Sequence, residues 1–224
     1  MKYLLLALLI FMSLPANADD QVKEGRTCRI VFPERPKGTP KTVYLFDGKK
    51  NQQVFLPSMN FSKVISLPEG ELTIMMAAKE VDQDNLPKGV PTLKIPEDLQ
   101  DFYILLVADH ENEKLPLRMV LLNTDGGKLL PGKTLWCNLT NHKISANLGK
   151  IKMEVEPNGK TVSSKPIFKS GHYRADLFYQ PEAEGEARVI TAQNWWFDAN
   201  SRHLGIIVSS TGKLPKTFYY RDFR

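Results

Sequence analysis

The sequence predicts an all-β protein: two consecutive antiparallel β-sandwich modules behind a cleavable leader. Three observations predict it. Short apolar or alternating runs recur along the 224 residues, helical periodicity is nearly absent after the leader, and Gly, Pro, Asn and Asp punctuate the runs. That combination belongs to sandwiches, whose strands are short and whose turns need residues tolerant of tight backbone geometry.

Taken in order, residues 26–32, 42–46, 53–56, 63–67, 71–78, 102–109 and 117–123 read as the strands of a first module. Residues 134–140, 144–148, 151–156, 161–164, 173–180, 187–196, 203–210 and 217–220 read as those of a second. Leu72, Ile74, Met76 and Ala78 alternate onto one face, as do Ile151, Met153 and Val155, and likewise Tyr173, Ala175, Leu177 and Tyr179. Residues 102–108 are apolar throughout, the pattern of a central strand covered on both faces. Asp47-Gly48 and Pro157-Asn158-Gly159 each join two runs as hairpin turns. The densest turn cluster, Asp125-Gly126-Gly127-Lys128 through Pro131-Gly132, divides the chain into modules at 19–125 and 126–224.

The halves share a plan that suggests a divergent duplication. Each opens on a strand carrying a cysteine, Cys28 or Cys137, and each later has a Gly before an alternating strand, at Gly70 and Gly171. Each closes on two apolar strands across a charged loop, at 109–115 and 198–202. Alternation places Cys28 with Ile30 and Phe32, and Cys137 with Leu135 and Leu139, so both thiols read as inward. In an oxidising compartment two cysteines pair by default. Two inward thiols in separate cores, however, lie beyond disulfide reach. The sequence leaves a Cys28–Cys137 bridge open.

The compartment is read from residues 1–18. Lys2 supplies a positive start, residues 3–12 are apolar, Ser13-Leu14-Pro15 breaks the run, and Ala16-Asn17-Ala18 is a small-x-small cleavage site. The apolar run is shorter than the roughly 20 residues of a membrane anchor, and no span is expected after its removal. Cleavage leaves 224 − 18 = 206 residues for the periplasm or the medium, with charge 29 − 25 = +4. That excess is spread along the chain. Lys49-Lys50 is its densest point, short of the runs of about five to eight basic residues that mark nucleic-acid patches. An envelope protein or an extracellular polymer is the partner class that remains.

Catalytic signatures were sought and not met. The chain has no Gly-x-Ser-x-Gly elbow, and His110, His142, His172 and His203 are scattered near turns and strand ends, which reads as surface histidine. No His-Glu-x-x-His or Cys-x-x-Cys pattern supports zinc, and no glycine-rich phosphate loop supports a nucleotide cofactor. The reading therefore assigns no catalytic, metal or cofactor residue. Two features suit binding instead. Residues 79–100 form a long segment of low periodicity with Pro87, Pro91 and Pro96, a candidate interaction loop or an ordered crossover between the two sheets of a sandwich. Trp195, Trp196, Tyr219 and Tyr220 offer a candidate interaction surface, with one of the two tryptophans expected in the core because neighbours on a strand face opposite ways. Trp136 reads as facing outward beside Cys137, packed between the modules.

The stretch Val43-Tyr44-Leu45-Phe46-Asp47-Gly48, taken with Leu67-Pro68-Glu69-Gly70, resembles exported bacterial β-sandwich proteins of unknown function. The resemblance implies a non-enzymatic envelope protein and carries no catalytic residues. The expected role is an exported, non-catalytic binding or interaction module. A structural subunit of an envelope assembly and an extracellular polysaccharide or peptide hydrolase are the alternatives.

Overall fold

The computed structural model describes residues 25–57, 59–124, 129–181, 185–210, 212 and 214–223, and these form sixteen strands and no helix. The leader expected at 1–18 and the turn expected at 125–128 lie outside the described residues. The first half holds β1 (Thr27–Val31), β2 (Thr42–Phe46), β3 (Asn51–Phe55), β4 (Ile65–Ser66), β5 (Leu72–Ala77), β6 (Thr92–Ile95), β7 (Asp101–Ala108) and β8 (Leu117–Asn123). The second holds β9 (Thr134–Leu139), β10 (Lys143–Leu148), β11 (Ile151–Val155), β12 (Lys160–Ser163), β13 (Gly171–Gln180), β14 (Arg188–Phe197), β15 (Arg202–Val208) and β16 (Lys216–Asp222).

The strands pair into four sheets, ordered β4-β1-β7-β8 and β3-β2-β5-β6 in the first half, and β12-β9-β15-β16 and β11-β10-β13-β14 in the second. Adding eight to each number in the first half reproduces the second, so the two halves repeat one topology. The sheets are not purely antiparallel: β1 runs parallel to β7, and β9 to β15. Each parallel pair joins the first strand of its half to the seventh, after the chain has built the facing sheet.

Three apolar layers hold the sheets in a stack. Ile30, Leu45, Ile74 and Phe102 belong to the layer inside the first half, and Trp136, Ala146, Leu177 and Phe197 to the layer inside the second. Between the halves, Val31, Tyr103, Leu105 and Leu122 meet Leu135, Cys137, Leu204 and Ile206. Strand β7 is therefore covered on both faces, as its unbroken apolar run requires.

One edge of this middle layer is polar. The Asp222 carboxylate, fully buried, accepts hydrogen bonds from Arg29 Nη1 at 2.6 Å, the Tyr103 hydroxyl at 2.6 Å and Arg202 Nη2 at 3.0 Å. Arg202 also pairs with Asp101. The cluster joins Arg29, Asp101 and Tyr103 of the first half to Arg202 and Asp222 of the second. Burial opposes the Arg202 charge, but Tyr103, Asp101 and Asp222 outweigh it and hold its pKa above the ordinary value.

Several expectations are corrected. Residues 79–100 contain a strand, β6, which pairs antiparallel with β5, and the segment before it is tied down. Asn51 Nδ2 donates to the Val81 carbonyl and Asn51 Oδ1 accepts from Val81 N–H, both at 2.9 Å. Val81 packs with Phe46 and Ala77, so this segment covers a sheet rather than hanging free. The missed strand also shifts the repeat: 198–201 joins β14 to β15, the counterpart of 96–100, and the counterpart of the 109–116 loop is 209–215. On β9 the faces are reversed. Trp136 fills the core of the second half, donating from Nε1 to Ser163 Oγ at 3.1 Å, while Cys137 faces the middle layer. Alternation could not tell these faces apart, because both sides of β9 are covered.

Gly205 sits opposite Trp136 across the parallel pair, and a Cβ there would collide with the indole ring. Gly205→Ala is expected to destabilise by about 1–3 kcal/mol, the range for overpacking a filled core, read as a lower urea midpoint at unchanged slope. Asp222→Ala strands two guanidinium groups and the Tyr103 hydroxyl at once. It is expected to cost about 3 kcal/mol, and a urea midpoint equal to wild type would show that the cluster does not hold the halves together.

Candidate functional site

The two halves differ where β3 passes to β4. In the second half, β11 and β12 are joined by 156–159, a tight turn in which Gly159 N–H donates to the Glu156 carbonyl at 2.9 Å. In the first half the equivalent link is 56–64, nine residues against four. Strand β12 lies beside β11, whereas β3 and β4 stand further apart. Between them opens a cavity of about 450 Å³, with Thr42, Gln53, Phe55, Pro57, Lys63 and Val64 among its lining.

The walls are held from below. Leu56 is buried, its N–H donates to the Lys41 carbonyl at 2.8 Å, and its own carbonyl accepts from the Arg35 guanidinium. Val31 bridges to Phe61, while β4 pairs Cys28 with Ile65, so the five residues 61–65 oppose the four residues 28–31 and the stretch carries a bulge. Ser62 fills it: its N–H donates to the Ile30 carbonyl at 2.8 Å and its Oγ accepts from Ile30 N–H at 2.9 Å. Arg29 Nε donates to the Ser62 carbonyl at 2.9 Å, so the guanidinium that pairs with Asp222 also anchors the groove wall.

The rim is apolar and open. Phe55 is 60% exposed, Val64 47% and Met59 78%. Met59 holds φ at 61°, a left-handed conformation that costs a non-glycine residue about 1–2 kcal/mol. Lys41, Lys49, Lys50 and Lys63 are exposed around the two ends of β3 and form no ion pair among the described residues. The groove thus offers an apolar rim, amide side chains and positive charge.

These residues escaped sequence reasoning, although one signal was there. Asn51, Gln53 and Phe55 share the outward face of β3, opposite the buried Val54, so Phe55 is an aromatic residue on a polar face.

The sequence-predicted residues lie elsewhere and do not converge. Trp195 and Tyr219, with ring centroids 5.0 Å apart, close the rim of the second core against Trp136. Tyr220 lies in the middle layer, its ring 5.7 Å from Phe61, where burial pushes its phenol pKa up. Trp196 is half exposed on the outer face of the second half, edge-on to His172 at 5.0 Å. The four aromatics therefore fall in three places and form no single surface.

His203 is not a surface residue. Its ring stacks between Phe197 and Tyr219, its Nε2 lies 2.8 Å from the Asp198 carbonyl oxygen, and burial lowers its pKa. In the charged loop at 109–115, Asp109 accepts the Glu111 N–H and shapes a turn. No group of three metal-competent side chains occurs among the described residues. A second cavity, of about 370 Å³, opens at the far end of the middle layer beside the Lys216–Glu34 ion pair.

Cys28 and Cys137 are not bridged. Cys28 points into the core of the first half and Cys137 into the middle layer, so the β4-β1-β7-β8 sheet separates them. Burial pushes the Cys137 thiol pKa up, against the pull of Lys160. A thiol reagent is expected to label neither cysteine in the folded protein and both after unfolding without reductant. Labelling that requires reductant would show a bridge instead.

No protein-family model matches the chain, and a search of curated proteins finds no significant relative. The site therefore rests on its own geometry.

Proposed function

We propose that this chain is an exported, non-catalytic binding protein that holds a segment of an envelope partner in the groove between β3 and β4. One observation carries the reading. Of two halves with one topology, the second passes from β11 to β12 in a four-residue turn, and the first takes nine residues from β3 to β4 and leaves a cavity of about 450 Å³ between them.

Phe55, Met59 and Val64 stand in water around this cavity, apolar surface that adds nothing to the stability of the fold. Covering that rim with a partner recovers the cost of hydration. The leader supports export by cleavage after Ala18, to the periplasm or the medium. No helix among the described residues is long and apolar enough to cross a membrane.

The reading is tested in cells with a photo-cross-linking amino acid placed at Phe55, and at Val189 on the outer sheet of the second half as a control. A discrete higher-mass adduct from position 55 alone is expected. The same adducts from both positions, or none from 55, would remove the groove as the binding site. Phe55→Glu should abolish the adduct of a cross-linker at Val64 while changing stability by no more than about 0.5 kcal/mol, as for other surface substitutions.

A further inference from the structure

The hydrogen-bond phase of β3 shows which of its backbone groups are free to bind. Leu56 N–H donates to the Lys41 carbonyl at 2.8 Å, and Asp47 N–H to the Lys50 carbonyl at 3.2 Å. The β2·β3 register pairs Val43 with Val54 and Leu45 with Gln52. Antiparallel ladders alternate bonded and non-bonded pairs. With Lys41·Leu56 and Asp47·Lys50 bonded, Val43·Val54 and Leu45·Gln52 are bonded too. The N–H and C=O groups of Asn51, Gln53 and Phe55 then point away from β2. Strand β3 is the outermost strand of its sheet, so this side of it has no ladder neighbour among the described residues.

We propose that the groove takes its partner as an added β-strand: an extended acidic–apolar peptide pairs with the free edge of β3 through Asn51, Gln53 and Phe55. The inference rests on the groove being the binding site and adds the mode and chemistry of the ligand.

Three further observations select that occupant. The free edge borders a cavity whose other wall is the Lys63–Ile65 stretch, so an added strand enters a space bounded by Phe55 and Val64 instead of lying in open solvent. Main-chain pairing with an exposed edge supplies affinity in such complexes, and alternate side chains entering pockets supply specificity. The ligand's alternate apolar side chains meet Phe55, Pro57 and Val64.

Charge then settles the sign. Lys49 and Lys50 lie at one end of β3, Lys41 and Lys63 at the other, and none has a carboxylate partner among the described residues. Lysines on an edge repel a second copy of the same edge, which is how sheet proteins avoid edge-to-edge aggregation. The same four charges attract a strand with Glu or Asp near its ends. Length follows as well: β3 spans about 17 Å at about 3.4 Å per residue, so five or six ligand residues occupy it.

The test uses the mature full-length chain, isotope-labelled, with two capped eight-residue peptides, one alternating Glu and Val and one alternating Lys and Val. The acidic peptide is expected to slow hydrogen exchange at the Asn51, Gln53 and Phe55 amides by about tenfold or more, the signature of newly bonded N–H groups. The lysine peptide should leave them unchanged, and added salt should weaken the effect.

Gln53→Pro removes one of the outward N–H groups at an edge position where proline is tolerated. It should lose the protection while the resonances of the second half stay in place, which shows that the variant is folded. A triple variant, Lys49→Glu with Lys50→Glu and Lys63→Glu, should reverse the preference between the peptides. Shifts at Phe55 and Val64 without amide protection would overturn strand addition and leave the groove reading standing. Equal protection by both peptides would overturn the acidic preference. An absence of any change around β3 with either peptide would overturn both.

Discussion

The structure depends on one buried carboxylate. Asp222 lies near the end of the chain, wholly inside the layer between the halves, and the partners that neutralise it come from both. A buried carboxylate without partners is costly, because losing water is uncompensated. Arg29, Tyr103 and Arg202 must therefore converge on it, and their convergence sets how the two sheets meet. Apolar packing between Leu105 and Ile206 tolerates sliding in a way that a set of charge-assisted hydrogen bonds does not. The cluster also reaches the groove. Through its bond to the Ser62 carbonyl, Arg29 couples the shape of the groove wall to the junction of the halves.

The repeated topology makes the chain its own comparison. Both halves cross from one sheet to the other in the same order and close on a parallel first-to-seventh strand pair. Where they differ, the differences concern cover. The first half turns its β1 and β7 outward faces to the second, which returns β9 and β15, and this makes the central strands apolar on both sides. In the second half the turn at Pro157-Asn158-Gly159, where Asn158 takes φ of 54°, is not the hairpin its sequence suggests, because β11 and β12 pair in different sheets. The first half spends nine residues on the same connection and leaves an edge, a cavity and a methionine in the left-handed region. A left-handed non-glycine backbone and exposed apolar side chains thus meet beside this cavity.

Legibility followed burial. Strands with one wet face announced themselves by alternation, and β5, β11 and β13 fall where the pattern put them. β6 did not. Its four residues, Thr92-Leu93-Lys94-Ile95, follow a proline and bury only Ile95, so the run is too short to carry a period. The facing of Cys137 and Trp136 was illegible for the opposite reason, since a strand buried on both sides has no polar face to mark its phase. His203 was misread because scattered position says nothing of the stacking rings that bury it, which come from β14 and β16. The groove was invisible because the runs on either side of it read as ordinary strands.

By itself, the sequence determined the all-β class, nearly every strand and the turns that separate them. Those follow from local physics: side-chain alternation, β-branched and aromatic runs, and residues that permit tight turns. Tertiary structure turned the suggested duplication into one repeated topology, and it alone decided that the central sheets stack face to face on Asp222 and that the two thiols lie on opposite sides of a sheet. It also decided that the edge of β3 stands open. Each of these depends on which distant strands pair and what covers them, and no local pattern encodes a partner that is seventy or two hundred residues away.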